Sequence, residues 1–200
     1  MGFNVPSDCI LCVGRDYNYI KEEFSAIKKV DSDSSCKRVL VNFGGADPAG
    51  GCLKVAQAVI AGHLYQDYSF TFITGLSNPL HETIVSLLSS VQEITVLKHS
   101  KNVAEIFSRT DLAIGACGGM FHERIMAGIP SVNVEIADNQ KGVCDTIVKP
   151  LNLGVCLEVE ELKNPSLIRK ALLKLEENYE DYKIRCQNVF NPNGLQNIAE

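Results

Sequence analysis

The sequence predicts an α/β domain built on a doubly wound parallel sheet. Three observations predict it. Strand-like and helix-like segments alternate along the chain. The strand-like segments are near-continuous apolar runs, as strands covered on both faces require. Glycine pairs, Gly44-Gly45 and Gly118-Gly119, follow two of those runs. In such sheets, ligands bind beyond the carboxyl ends of the strands.

Each element has its own justification. Residues 9–13 read as a short buried strand, and residues 17–30 as an amphipathic, charged helix. Residues 31–35 are a polar Asp/Ser loop. Residues 38–43 are a β-branched apolar strand closed by Gly44-Gly45, and 53–61 carry apolar residues at helical spacing. Residues 69–74 form the next strand, ended by Gly75, and 80–88 the next helix. A short strand at 94–97 precedes a helix at 103–108. Strand 112–115, helix 123–127 and strand 131–134 follow, the helix stopped by Gly128-Ile129-Pro130. Helix 143–148, strand 154–157 and a long helical region over 167–189 complete the pattern. No internal repeat interrupts it.

Composition excludes several function classes. The 200 residues, 46% hydrophobic, suffice for one substantial core. A net charge of −5, with no Lys/Arg cluster, argues against nucleic-acid binding, which rests on phosphate neutralisation. The longest apolar runs are strand-sized, so no membrane span is expected. Residues 1–12 show no signal-peptide pattern, and a cytoplasmic location is expected. Of eight cysteines, Cys9 and Cys12 form a CxxC. On a strand they would face opposite sides, so a zinc knuckle fits poorly. The cysteines read as small buried hydrophobes, with no metal and no cofactor expected.

The densest signal is the stretch from 115 to 140. Gly118-Gly119 opens a helix whose bare N–H groups suit a phosphate. Glu123, about one turn in, can accept hydrogen bonds from two sugar hydroxyls. A plain helix-dipole role is the alternative. Asp138-Asn139-Gln140 follows the strand 131–134, where amide side chains can read sugar groups or simply cap a helix. Gly44-Gly45 could let backbone amides approach a diphosphate, or could form a tight turn with Asp47 as N-cap and Pro48 as first helical residue. It matches neither the P-loop nor the GxGxxG pattern. His122 reads as structural, and His99-Ser100 as a pocket wall. No catalytic residue is evident. Together these features point to a nucleotide or nucleotide-sugar site.

The segments VGRDYNYIKEEF (13–24), VLVNFGGADP (39–48), NVAEIFSRTDLAIGACGGMFHERIMAGIPSVNVEIADNQ (102–140) and NGLQNI (193–198) resemble a known family. They are similar to the C-terminal, Rossmann-like half of GT-B fold nucleotide-sugar enzymes. The nearest resemblance is to the UDP-sugar hydrolase of the pseudaminic acid pathway and its relatives in spore coat polysaccharide biosynthesis. The resemblance implies that residues 1–36 hold an interdomain linker with the first strand and helix. Residues 37–200 would be the nucleotide-sugar-binding domain. It implies that Glu123 holds the ribose of UDP. Gly45 and Ala46, with Gly119 and Met120, would turn backbone toward the diphosphate, Gly44 and Gly118 completing the two turns. Ser100 and Val103 would meet the uracil edge, and Asn139 and Gln140 the sugar. Ala46 stands where the family has Ser, Met120-Phe121 where it has Ser-Thr, and His122 where it has Trp. The family's glycine-histidine segment, on an N-terminal domain, has no counterpart here, so a missing N-terminal domain is the expected partner and supplier of catalysis. Transferase or epimerase chemistry, or a non-catalytic binding module, remain the other readings.

Overall fold

The computed structural model describes residues 5–6, 8–12, 14–17, 20–25, 27–30, 36–191 and 194–199. Its centre is a six-stranded parallel sheet: β1 (Lys37–Asn42), β2 (Tyr68–Ile73), β3 (Ile94–Leu97), β4 (Leu112–Ala116), β5 (Ser131–Val134) and β6 (Gly154–Cys156). The spatial order is β3-β2-β1-β4-β5-β6. That is the order of dinucleotide-binding doubly wound sheets, with the switch point between β1 and β4. Val41 sits beside Phe72 on one side and Ile114 on the other, and Ile114 pairs Val132.

Helices cover both faces: α1 (Glu22–Ser25), α2 (Gly51–Ala61), α3 (His81–Leu88), α4 (Val103–Ser108), α5 (Gly119–Met126), α6 (Lys149–Leu151), α7 (Pro165–Glu177), α8 (Tyr179–Val189) and α9 (Gly194–Ala199). The strand alternation divides the core. Val39, Val41, Phe70, Phe72, Leu112 and Ile114 face α2 and α7 in the largest cluster. Leu40, Ile73 and Ala113 point the other way and pack with Phe24 and Phe107. A third cluster joins Phe121 and Ile125 of α5 to Cys186 and Val189 of α8. Each buried Leu, Ile or Phe side chain contributes on the order of 1.5–3 kcal/mol relative to exposure.

The expected sheet is observed, with corrections at its margins. Residues 9–12 form no strand, and Cys9 and Cys12 are exposed. The run begins in a turn, with the Cys9 amide bonded to the Pro6 carbonyl at 3.1 Å, and no strand of the sheet pairs with it; residue 13 lies outside the described residues, as do residues 31–35. Within 17–30, only Glu22–Ser25 is α-helical among the described residues. Its end lies along the C-terminus of α4, where Lys29 Nζ donates to the carbonyls of Phe107 (3.0 Å) and Thr110 (2.6 Å). The expected helix 143–148 is a π turn, Cys144–Val148, running into α6. Pro150 has no N–H for the carbonyl four residues back, so a regular α-helix cannot pass through it. The long C-terminal helix breaks at Asn178 into α7 and α8.

Candidate functional site

The site is built at the carboxyl ends of β1 to β4. A cavity of about 370 Å³ opens there, lined by Asn42, Gly44 and Gly45 after β1, Ile73, Gly75 and Leu76 after β2, His99 and Ser100 after β3, and Val103 and Met120 from the helices beyond. Its walls are mainly apolar, its rim polar backbone.

Local chemistry shapes the first wall. Asn42, 4% exposed, donates from Nδ2 to the Ile73 carbonyl (2.7 Å) and accepts the Gly44 amide on Oδ1 (3.1 Å). One side chain thus ties β1 to β2 and bends the glycine turn. Gly75 completes the lock. Its φ is +97°, and a Cβ there would lie 2.3 Å from the Gly45 carbonyl oxygen. Only glycine permits that approach.

The two glycine turns differ in what they leave open. Asp47 takes a left-handed conformation and is buried. Its carboxylate accepts the amides of Gly51 and Cys52, both at 2.8 Å. The N-terminus of α2 is therefore already capped by an anion of the chain itself. The helix starts at Gly51, with Gly50 as N-cap, which corrects the expectation of Asp47 as N-cap and Pro48 as first helical residue. The N-terminus of α5 has no such cap. Gly118 is its extended N-cap, without a side-chain hydrogen bond, and no acidic residue sits in the first turn. Gly119 is exposed, with open space where a Cβ would be. Its amide and that of Met120 are the first-turn donors beside the cavity.

The other expected residues fall around this centre. Gly44, Gly45, Ser100, Val103 and Met120 line the cavity together, and His99 forms part of the wall as expected. Ala46 is exposed on the loop beside it. Glu123 is the fifth residue of α5, one turn beyond Met120 on a neighbouring face. It is not among the cavity-lining residues. Burial raises its carboxyl pKa, Lys21 opposing and Glu23 adding to the rise. Asn139 is exposed on a 3-10 turn, Asp138–Gln140. Gln140 is buried; its Oε1 accepts the Ile136 amide (3.1 Å), and its Nε2 would stand 3.3 Å from a Cβ at Gly118. Gln140 thus braces the N-cap of α5 against the loop after β5. His122 packs on Phe121 and Phe190 at ring-centroid distances of 5.2 and 5.3 Å, and burial depresses its pKa. It is a structural ring, and the histidine at the cavity is His99. Asn42, Ile73, Gly75 and Leu76 were not evident from the sequence; the carboxyl-end position of 42 and 73 was the available signal.

Arg124, next to Glu123, is 1% exposed. Its side chain runs back along α5 toward the helix start, as helical side chains do. Nη2 donates to the carbonyl of Ala116 (3.1 Å) and to Asn133 Oδ1 (3.3 Å). Nε and Nη1 have no hydrogen-bond partner among the described residues. Burial pushes its pKa down to about 10, so it stays a cation at neutral pH, its Nη1 packed against Gly115 near the end of β4.

Among the described residues, no helix is long and apolar enough to cross a membrane. No protein-family model matches the chain. It is 24% identical over 157 residues to an uncharacterized protein of Methanocaldococcus jannaschii, covering 75% of this chain and 32% of that protein. It is also 24% identical over 146 residues to the spore coat polysaccharide biosynthesis protein SpsG of Bacillus subtilis, covering 71% and 43%. The chain thus spans less than half the length of these relatives. Among solved structures, MurG of Acinetobacter baumannii superposes with a TM-score of 0.65 at 16% identity, over 88% of this chain and 53% of that one. A UDP-GlcNAc 2-epimerase from Neisseria meningitidis, bound to UDP-GlcNAc, superposes with a TM-score of 0.59 at 18% identity, over 82% and 44%. Likeness at these identities is likeness of fold: the single parallel sheet flanked by helices matches the Rossmann-like domain of those GT-B fold structures.

Proposed function

We propose that this domain binds a nucleotide sugar, UDP-linked, in surface polysaccharide biosynthesis. The observation that carries the reading is the uncapped N-terminus of α5 at the switch point, opening on the cavity at the ends of β1 to β4. The diphosphate takes the amides of Gly119 and Met120, with the dipole of α5 and the Arg124 cation behind them. The base enters the apolar cavity near Ser100 and Val103. Glu123 takes the ribose from the next turn of α5, and Asn139 reaches toward the sugar. Ala46 and Met120 bring no hydroxyls, so backbone donors carry the phosphate contacts.

The likeness to SpsG and to the UDP-GlcNAc-bound epimerase supports the ligand class. For the whole protein we propose hydrolysis of a UDP-linked amino sugar, with release of UDP and with the acid/base group on a second, N-terminal domain. The structural likeness to glycosyltransferases and to an epimerase supports those reactions equally.

Calorimetric titration with UDP tests the binding. A single domain is expected to bind in the range of roughly 10 μM to 1 mM, or about 4–7 kcal/mol. No heat and no NMR shift at Gly119 or Met120 with millimolar UDP would sink the proposal. Product analysis with water as sole acceptor separates hydrolysis from transfer and epimerisation.

A further inference from the structure

The β4–β5–β6 half of the sheet carries a layer of thiols. Cys117 follows β4, Cys156 ends β6 opposite Asn133, and Cys144 begins the π turn over β5. The Cys144 thiol lies 3.9 Å from the carbonyl of Asn133, the residue that Cys156 pairs with across the strands. Glu135 fixes it there, its carboxylate accepting the amides of Cys144 (2.7 Å) and Gly142 (3.2 Å). A separate cavity of about 110 Å³ is lined by Cys144, Cys156, Glu135, Asp145 and Lys149 among others. A small polar molecule can therefore meet both sulfurs in one enclosed space. A π turn is itself an uncommon local geometry that recurs at functional sites.

The three sulfurs are not equivalent. The neighbouring thiols of Cys117 and Cys156 lower the Cys144 pKa, burial opposing and Lys149 assisting. Cys117 and Cys156 are raised, by the nearby Cys144 and by burial. Place separates them too: Glu135 fixes Cys144 at the start of the π turn, and Cys156 ends β6 across the shared cavity, so the fixed, lowered thiol suits the nucleophile and its raised neighbour the resolving partner. Among the described residues, no group of three His, Cys, Asp or Glu is arranged to hold a metal ion.

We propose that Cys144 is a peroxide-reactive thiol and Cys156 its resolving partner, so that oxidation closes an intrachain disulfide between the π turn and β6. The Cys144 sulfur attacks one oxygen of hydrogen peroxide; the O–O bond breaks, and hydroxide leaves with the thiol proton as water. Sulfur loses two electrons and peroxide gains them, giving a sulfenic acid. The Cys156 sulfur then attacks the Cys144 sulfur. The S–O bond breaks, and hydroxide leaves as a second water with the Cys156 proton. Two thiols and one peroxide thus give one disulfide and two waters.

Peptide mapping by mass spectrometry tests this on the full chain, with Cys9 and Cys12 replaced by serine to remove the exposed pair. After stoichiometric peroxide, a linked Cys144–Cys156 peptide lighter by two hydrogens is expected. Cys156→Ser should abolish the link and leave Cys144 trapped by dimedone; Cys144→Ser should abolish both. The chain without either variant already decides the first point, so a variant that fails to fold does not shield the idea. Unchanged thiols at 144 and 156, dimedone spread evenly over the other cysteines, or a link from Cys144 to Cys117 instead, would each overturn it.

Discussion

Glu123 shows how one residue's place in its helix changes what it is worth. Read from the sequence, its charge could serve the helix dipole. As the fifth residue of α5 it lies past the first turn, where that effect has largely fallen off. Burial dominates instead and raises its pKa above the ordinary value of 4.5. The sign follows from proton linkage: a carboxyl raised on folding favours the folded state below the unfolded pKa, and that contribution is lost as pH rises through the folded value. Glu123→Gln should therefore leave the thermal midpoint at pH 7 equal to or above that of the unmodified chain. The difference should vanish below about pH 4. If Glu123 also accepts two ribose hydroxyls, the same variant should weaken UDP binding by about 1–3 kcal/mol. Denaturation and titration of this one variant give both numbers. A lower midpoint with unchanged affinity would return Glu123 to a purely structural role. Arg124 adds a related lesson: a buried guanidinium with two unsatisfied nitrogens is a cost that the fold bears beside its proposed anion site, and nothing in the residue letters alone announces it.

At the scale of elements, the site depends on loops that lock one another. Gly75 ends the β2 turn against the carbonyls of Gly44 and Gly45, and the Ser77 amide donates to Gly45 at 3.0 Å. Gly75→Ala should push the Gly44-Gly45 turn outward. The cost combines overpacking of about 1–3 kcal/mol with left-handed strain of roughly 1 kcal/mol. UDP affinity should fall with stability, since the displaced turn is a cavity wall. A stable Gly75→Ala variant with unchanged affinity would separate that turn from the ligand site. The strands themselves were legible because parallel strands buried on both faces read as apolar runs; Ile94–Leu97 and Ser131–Val134 match their expected bounds. The apolar run at 9–12 misled because a strand needs a neighbour, and run composition says nothing about pairing. The start of α2 was misplaced because Asp47 caps it from a left-handed position, a conformation that residue type alone does not announce. Of the cavity-lining residues, Gly44, Gly45 and Ser100 were expected from strand ends and Val103 and Met120 from the family resemblance, whereas Asn42 and Gly75 act through contacts between strands that only the topology brings together.

Across the whole molecule, the sheet order decides where chemistry can happen and what it still needs. The switch point between β1 and β4 gives a phosphate-suited helix end and an apolar cavity on one edge of the sheet. A general acid or base must be oriented as well as near, held by a partner that fixes its ring or carboxyl. His99 lines the cavity but is exposed, with no hydrogen bond from its ring to any described residue. His122 is turned into aromatic packing. The chain covers about half of MurG and of the UDP-GlcNAc 2-epimerase, and the N-terminal domain proposed above would supply the second wall of the cleft. The 200 residues are therefore expected to bind UDP-sugar without steady turnover, with hydrolysis arising once a partner domain presents an oriented acid/base group across the cavity. The check is UDP release over time from a UDP-linked amino sugar, with and without that domain. Sustained release by this chain alone, abolished by His99→Ala while UDP affinity holds, would make His99 the catalytic group and the domain an enzyme in its own right.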